Sequence, residues 1–210
     1  MKAARDDIGK EGTGEMSVRK QIVRITMVSL AAGLLSVAAS GQGGEPAPEQ
    51  YSATWAATGG VAGGAAGPID IRITRYNTNE EISQYVSVLA KDGPDALRRI
   101  LEKQDVGQFS PAGRVGVPLT IARKLVNGDK TIVRVVALRN ISFAEARNAG
   151  RSTDYPYTML ELTLDKDGKG AGAAIGAANL RFNTKKNIYE IESFGHGQSY
   201  QKLLNVRRVK

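Results

Sequence analysis

The clearest alternation of apolar and polar positions lies between Val117 and Arg139. Asn127-Gly128 divides this stretch into two β-prone halves, and both residues tolerate the positive φ of a tight hairpin turn. The second half is apolar at both odd and even positions. In an extended chain, Val133, Val135 and Ala137 lie on one face and Ile132, Val136 and Leu138 on the other. A strand with two apolar faces needs cover on both, so we predict that it lies at the centre of the sheet.

The length of the turn decides how the two strands pair. A two-residue loop pairs Ile121 with Arg134 and mixes charge into both faces. A three-residue loop pairs Ile121 with Val135 and Leu119 with Ala137, which gives one coherent apolar face. Because a slip of one residue exchanges the two faces of a strand, we prefer the three-residue loop.

A helical period replaces the alternation between residues 79 and 103. Thr78 and Glu81 fit a capping box, in which a hydroxyl and a carboxylate satisfy first-turn amides, and Gly93 followed by Pro94 ends one helix and opens the next. Short amphipathic helices of this kind are not stable alone in water. We therefore predict that the helix pair lies across the sheet, over the second face of the central strand. The residues of that face are Val136 and Leu138.

The remaining apolar patterns predict an antiparallel β fold. Alternation with a period of two marks further strands, at residues 51–58, 69–76, 157–164, 188–194 and 201–209. Residues 171–182 are rich in Ala and Gly, which leaves their structure open. We predict an α+β fold that is mainly antiparallel β, with about eight strands in a barrel or strongly curved sheet and a two-helix insertion after the second strand.

The N-terminus has the layout of a secretory signal peptide. A basic stretch from Met16 to Arg24 precedes an uncharged apolar run of about fifteen residues, which is shorter than the roughly twenty residues that span a bilayer. We predict a signal peptide over residues 1–40 with its start at Met16, a flexible linker over 41–50, and one β-rich domain over 51–210. The protein is then exported to the periplasm or the extracellular space, with no membrane span after signal removal.

Composition narrows the classes of partner. The chain has no Cys, one His and a formal net charge of +8. A nucleic-acid binder concentrates its basic residues on one face with aromatic residues between them, whereas here they are scattered, so a nucleic-acid partner is not expected. Without cysteine there is no disulfide framework, and the stability of the domain has to come from its core.

One glycine-rich segment matches two binding motifs in part. Gly168 to Ala173 has the G-x-G-x-x-A spacing of a dinucleotide site. Asp165-Lys-Asp-Gly168 is better hairpin chemistry, so we interpret the segment as a Gly-rich turn and expect no cofactor. Asp165 and Asp167 are closely spaced carboxylates of the kind found in calcium loops. They lack a third acidic ligand, so we assign no metal site and keep both as candidates.

Catalytic residues are not evident in the sequence. His196 is the single imidazole and lies between two glycines, a context typical of an exposed turn. Glu190 and Glu192 share one face of a predicted strand. A hydrolase-type enzyme that uses Glu190, Glu192 and His196 is the alternative hypothesis, and no residue is assigned a catalytic role.

The leading hypothesis is a binding protein without enzymatic activity. Several aromatic residues of the predicted strands and their ends are candidates to line a ligand cavity: Trp55, Tyr76, Tyr157 and Tyr189. We expect an exported domain that binds a small apolar ligand or an envelope partner.

Several short motifs resemble those of an uncharacterised family of exported bacterial β-rich proteins. They are Ile141-Ser-Phe143, Asp154-Tyr-Pro-Tyr-Thr158, Leu160-Glu-Leu162 and the segment from Asp165 to Gly170. The resemblance covers roughly residues 51–172 and implies export and the domain limits. No activity is assigned to that family, so the resemblance implies no ligand and no catalytic residue.

Overall fold

A computed structural model describes residues 48–57, 65–111, 115–139, 153–194 and 200–210. The predicted signal peptide and most of the predicted linker lie outside these ranges. Within them the chain forms β1 Glu49–Ala57, β2 Ala66–Ile73, α1 Asn79–Asp92, α2 Pro94–Leu101, β3 Gly107–Pro111, β4 Val117–Asn127, β5 Lys130–Leu138, β6 Tyr157–Leu164, β7 Lys169–Asn183, β8 Ile188–Ser193 and β9 Tyr200–Arg208.

Eight of these strands close an antiparallel barrel. Hydrogen-bonded neighbours follow the order β6-β5-β4-β3-β2-β1-β9-β7, and β7 returns to pair with β6. β8 lies outside the ring as the hairpin partner of β7. The two helices follow β2. The predicted antiparallel barrel and the position of its helix insertion are therefore confirmed.

Inward-facing side chains occupy the interior of the barrel. A ring of eight strands is just wide enough to be filled by its own side chains, and burial alternates along β2 and along β6 from Leu160 onward. The largest interior side chains that are fully buried are Tyr51, Ile71, Ile73, Leu119, Leu162 and Leu203. At about 1.5–3 kcal/mol for each large apolar side chain removed from water, this core is the main source of stability.

The helix pair packs on the outside of the barrel. Ile82 and Tyr85 of α1 form a second apolar cluster with Leu97 and Leu101 of α2, and outward residues of the sheet pack against it. These sheet residues include Val136 and Leu138, so the predicted helix-covered face is confirmed. The predicted capping box is present as well, because the Thr78 hydroxyl accepts from the amide of Glu81 and the Glu81 carboxylate accepts from the amide of Thr78.

The β4–β5 hairpin differs from both registers predicted above. Its two-residue turn is Gly128-Asp129, with Gly128 at a φ of +58°, so that Ile121 pairs with Val136. The register then shifts at Thr120, and Leu119 pairs with Ala137 as predicted. A bulge adds one residue to one strand and so interrupts the alternation at that point. Leu119 belongs to the interior cluster, whereas Ile121 packs against the outer one. Alternation alone puts both residues on one face, which is why it gave the wrong partner for Ile121.

The Ala/Gly-rich segment is part of the longest strand, β7. Two of its glycines lie where β6 approaches closely. A Cβ atom at Gly170 would be 1.9 Å from the carbonyl oxygen of Thr163, and one at Gly172 would be 2.4 Å from that of Glu161. These glycines therefore allow the barrel to close between β6 and β7.

Candidate functional site

A surface groove opens where β6 and β7 separate. Pairing between the two strands ends at Tyr157 and Ala178, whereas β7 continues to Asn183 in the company of β8. The chain before β6 stays with β5 instead, because the amide of Arg139 donates to the carbonyl oxygen of Pro156 at 2.7 Å. The separation leaves a groove of about 560 Å³.

Three elements form the walls of this groove. They are the N-terminal part of α2, the segment 153–157 and the β7–β8 hairpin. On the hairpin, the rings of Phe182 and Tyr189 lie 5.0 Å apart between centroids, and the Tyr189 hydroxyl donates to the carbonyl oxygen of Leu89 at 2.8 Å. That bond ties the hairpin to α1, so the walls belong to one packed assembly of strands and helices.

Tyr157 is the unusual residue of the groove. Its side chain lines the groove and the residue is 1% exposed, yet its buried hydroxyl has no hydrogen-bond partner among the described residues. Burial raises the pKa of Tyr157 to about 12, so the phenol is neutral at physiological pH. Buried hydroxyls are nearly always hydrogen-bonded, and this one is a donor and acceptor without a partner in the part of the chain that the structure describes.

The charges in the groove are only partly compensated. Arg98 pairs with Glu102 and Arg181 pairs with Glu192, each at 3.2 Å between nitrogen and oxygen. Two further carboxylates, Asp95 and Asp154, line the groove, and no ion pair with either is found in the described part of the chain. Among the described residues that line the groove, the net uncompensated charge is therefore negative.

The four aromatic candidates from the sequence fall into two groups. Trp55 and Tyr76 pack against the barrel core, whereas Tyr157 and Tyr189 line the groove on the outside of the barrel. The four side chains therefore do not line one common cavity. Sequence periodicity could not separate these groups, because it does not indicate which side of a barrel wall an aromatic residue faces.

The acidic residues of the alternative hypothesis lie in separate ion pairs. Glu192 pairs with Arg181 at 3.2 Å and lines the groove. Glu190 pairs with Lys186 at 2.6 Å and accepts a hydrogen bond from the side chain of Asn183. His196 lies outside the described residues. Within the described residues, each glutamate thus has its own cation.

The calcium candidates form a turn. Oδ1 of Asp165 accepts from the backbone amides of Asp167 and Lys169, at 2.9 and 3.0 Å. Gly168 has a φ of +73°, and β7 follows it directly, so the G-x-G-x-x-A segment leads into a strand rather than the helix that a dinucleotide site needs. In the described ranges, no group of three or more His, Cys, Asp or Glu residues could hold a metal ion.

A second polar cluster, which the sequence analysis missed, lies at the start of β1 beside the interior residue Tyr51. The Glu49 carboxylate accepts hydrogen bonds from the hydroxyls of Tyr51 and Tyr76 and from Nζ of Lys124, the last two at 2.6 Å. The two hydroxyls lie 3.1 Å apart. Burial acts to raise the pKa of Glu49, but the bonds from Lys124 and the two tyrosines together hold it below its usual value.

Position in the chain explains why this cluster was missed. Glu49 follows a Gly/Pro-rich stretch and was placed in the linker, but β1 already begins there. Glu49 alternates along β1 with Tyr51 and Ala53, so it lies on the same face of the strand as these two residues, which face the barrel interior. Extending the alternation by one step would have placed the carboxylate inside the barrel. The burial of both tyrosine rings raises their pKa values far above the usual range, so neither is a base at neutral pH.

Comparison with known proteins gives no relative. No protein-family model matches the chain, and neither the curated proteins nor the solved structures contain a match. No helix within the described ranges is long and apolar enough to cross a membrane.

Proposed function

We propose that this protein is an exported, non-enzymatic binding domain and that the groove between α2, segment 153–157 and the β7–β8 hairpin is its binding site. The ligand would combine apolar groups with a hydrogen-bonding group, as a small molecule or as part of an envelope partner. The observation that carries the proposal is the buried, unpartnered hydroxyl of Tyr157 on the groove wall.

The energetics of that hydroxyl favour a binding role over a structural one. Leaving a buried polar group unsatisfied costs about 1–3 kcal/mol, and phenylalanine would fill the same space without this cost. An unsatisfied buried polar group in a native protein calls for a specific explanation, and a functional role is one of the recognised ones. The aromatic side chains of Phe182 and Tyr189 add an apolar surface beside it, and Phe182 is 45% exposed.

An apolar fluorescent dye tests whether the groove binds ligands. We expect the uncharged dye N-phenyl-1-naphthylamine to bind the folded full-length chain saturably, because it carries fused aromatic rings and an N–H donor and is not repelled by the carboxylates of the groove. Phe182→Ser should weaken this binding about tenfold, which is the effect of about 1.4 kcal/mol of lost contact.

Leu204→Ser provides the matched control. Leu204 is 43% exposed, against 45% for Phe182, and it lies on β9, which does not line the groove. We expect this change to leave dye binding as it is. Absence of saturable binding, or an equal loss in both variants, would contradict the proposal.

A further inference from the structure

We propose that the occupant of the groove is an extended polypeptide segment, which pairs with the free edge of β7 at residues 179–183 and carries basic side chains. This inference rests on the proposed function, because it names the class of ligand that the same groove receives. Strand addition of this kind gives affinity through main-chain hydrogen bonds and specificity through alternate side chains.

The first observation is the edge itself. Residues 178–183 of β7 pair with β8 on one side. On the other side, pairing with β6 ends at Ala178, and no other described strand takes its place. The five residues beyond Ala178 therefore form an edge that faces the groove, and four of them line it, from Asn179 to Phe182.

The second observation concerns the backbone groups of that edge. The amide of Leu180 donates to the side-chain oxygen of its own neighbour Asn179 at 2.8 Å. Successive residues of a strand direct their amides and carbonyls to opposite edges, so Leu180 and Phe182 both present theirs to the groove. The Asn179 oxygen thus occupies the position that a carbonyl oxygen of an added strand would take.

The third observation is chemical complementarity. Leu180 and Phe182 are alternate residues of β7, so their side chains lie on the same face of the strand. They offer apolar contacts that match the two-residue period of an extended peptide. Asp95 and Asp154 supply the uncompensated negative charge of the groove. Basic side chains on the incoming segment would pair with these carboxylates, whereas acidic ones would be repelled.

A peptide of alternating lysine and valine is the direct probe. We expect a fluorescently labelled Lys-Val-Lys-Val-Lys-Val peptide to bind the full-length chain, and the same peptide with glutamate in place of lysine to bind at least about tenfold more weakly. Two further peptides keep the lysine–valine sequence and carry N-methyl groups on alternate amides, one peptide for each of the two possible phases. The peptide whose methylated amides face β7 should lose binding, because those amides can no longer donate hydrogen bonds to the edge. The other peptide should still bind, and the side chains are the same in both.

Variants of the protein separate strand pairing from side-chain docking. Asn179→Ala frees the Leu180 amide, so it should tighten binding of the lysine peptide about threefold, a gain that side-chain contact alone would not give. Asp95→Asn and Asp154→Asn should each weaken binding about threefold. Asp70→Asn, at an exposed position on β2, is the control and should have no effect.

The outcomes distinguish this inference from the proposed function. Equal affinity for both N-methylated phases and the parent peptide overturns strand pairing. Equal affinity for the lysine and glutamate peptides overturns the basic preference. If the dye binds in the groove and the lysine peptide does not, the inference is overturned and the proposed binding site stands. If neither binds, both fall.

Discussion

Replacing Glu49 by glutamine tests whether the polar cluster at the start of β1 stabilises the fold. The carboxylate accepts three hydrogen bonds, from Tyr51, Tyr76 and Lys124. Glutamine keeps the shape and one acceptor oxygen, and the two tyrosine hydroxyls retain each other at 3.1 Å. The net loss is then one charge-assisted bond to Lys124, which corresponds to about 2 kcal/mol.

Urea unfolding measures this loss, and a second Lys–Glu pair in the chain provides the control. Lys186–Glu190 has the same 2.6 Å separation as Lys124–Glu49, but its side chains are 55% and 41% exposed against 28% and 21%. Exposed pairs contribute about 0–1 kcal/mol. We expect Glu49→Gln to lower the unfolding midpoint by about 1 M urea at an ordinary slope, and Glu190→Gln to lower it much less. Equal shifts would refute the argument that burial makes the difference.

The pH dependence of stability gives a second readout of the same substitution. The pKa of Glu49 is lowered in the folded protein from its usual 4.5, so the folded state favours the ionised form. The stabilisation is fully present above the unfolded pKa and is lost as the pH falls through the lower, folded pKa. We expect the Glu49→Gln variant to lose less stability than the wild type between pH 7 and about pH 3. Parallel pH profiles for the two proteins would contradict the assignment.

Two further substitutions test the groove and the barrel closure. Tyr157→Phe removes a buried hydroxyl without a partner, so the free energy of unfolding should rise by about 1 kcal/mol; a fall in a urea titration would show that the hydroxyl has a partner in the folded state. Gly172→Ala places a methyl group 2.4 Å from the carbonyl oxygen of Glu161, and should cost about 1–3 kcal/mol. An unchanged melting temperature of that variant would show that β6 and β7 can separate there freely.

Periodicity was sufficient for the parts of the fold that depend on one face of one element. The alternation in β5 identified a strand covered on both sides, and the helical spacing around Ile82 identified its outer cover. The register of β4 against β5 was not accessible in this way, because the bulge at Thr120 shifts the pairing and places Leu119 and Ile121 on opposite faces of the sheet. The positions of most strands could be predicted, but not that of β3 or the structure of residues 171–182, and the alternation did not show how far each strand runs alongside its neighbour.

The same limit explains why the groove could not be predicted. The groove exists because β7 has fifteen residues and β6 has eight. The pairing with β6 that closes the barrel therefore extends along β7 only as far as Ala178. The remainder has to extend beyond the ring, and among the described strands only β8 covers it, along one edge. Exposed strand edges are normally blocked, because they recruit other strands. Here the described block is one Asn179 side chain on one amide, which a competing carbonyl oxygen can displace. Two glycines allow β6 and β7 to pair closely, and β7 is longer than β6. The part of β7 that extends beyond β6 forms the edge, borders the groove and carries the exposed Phe182.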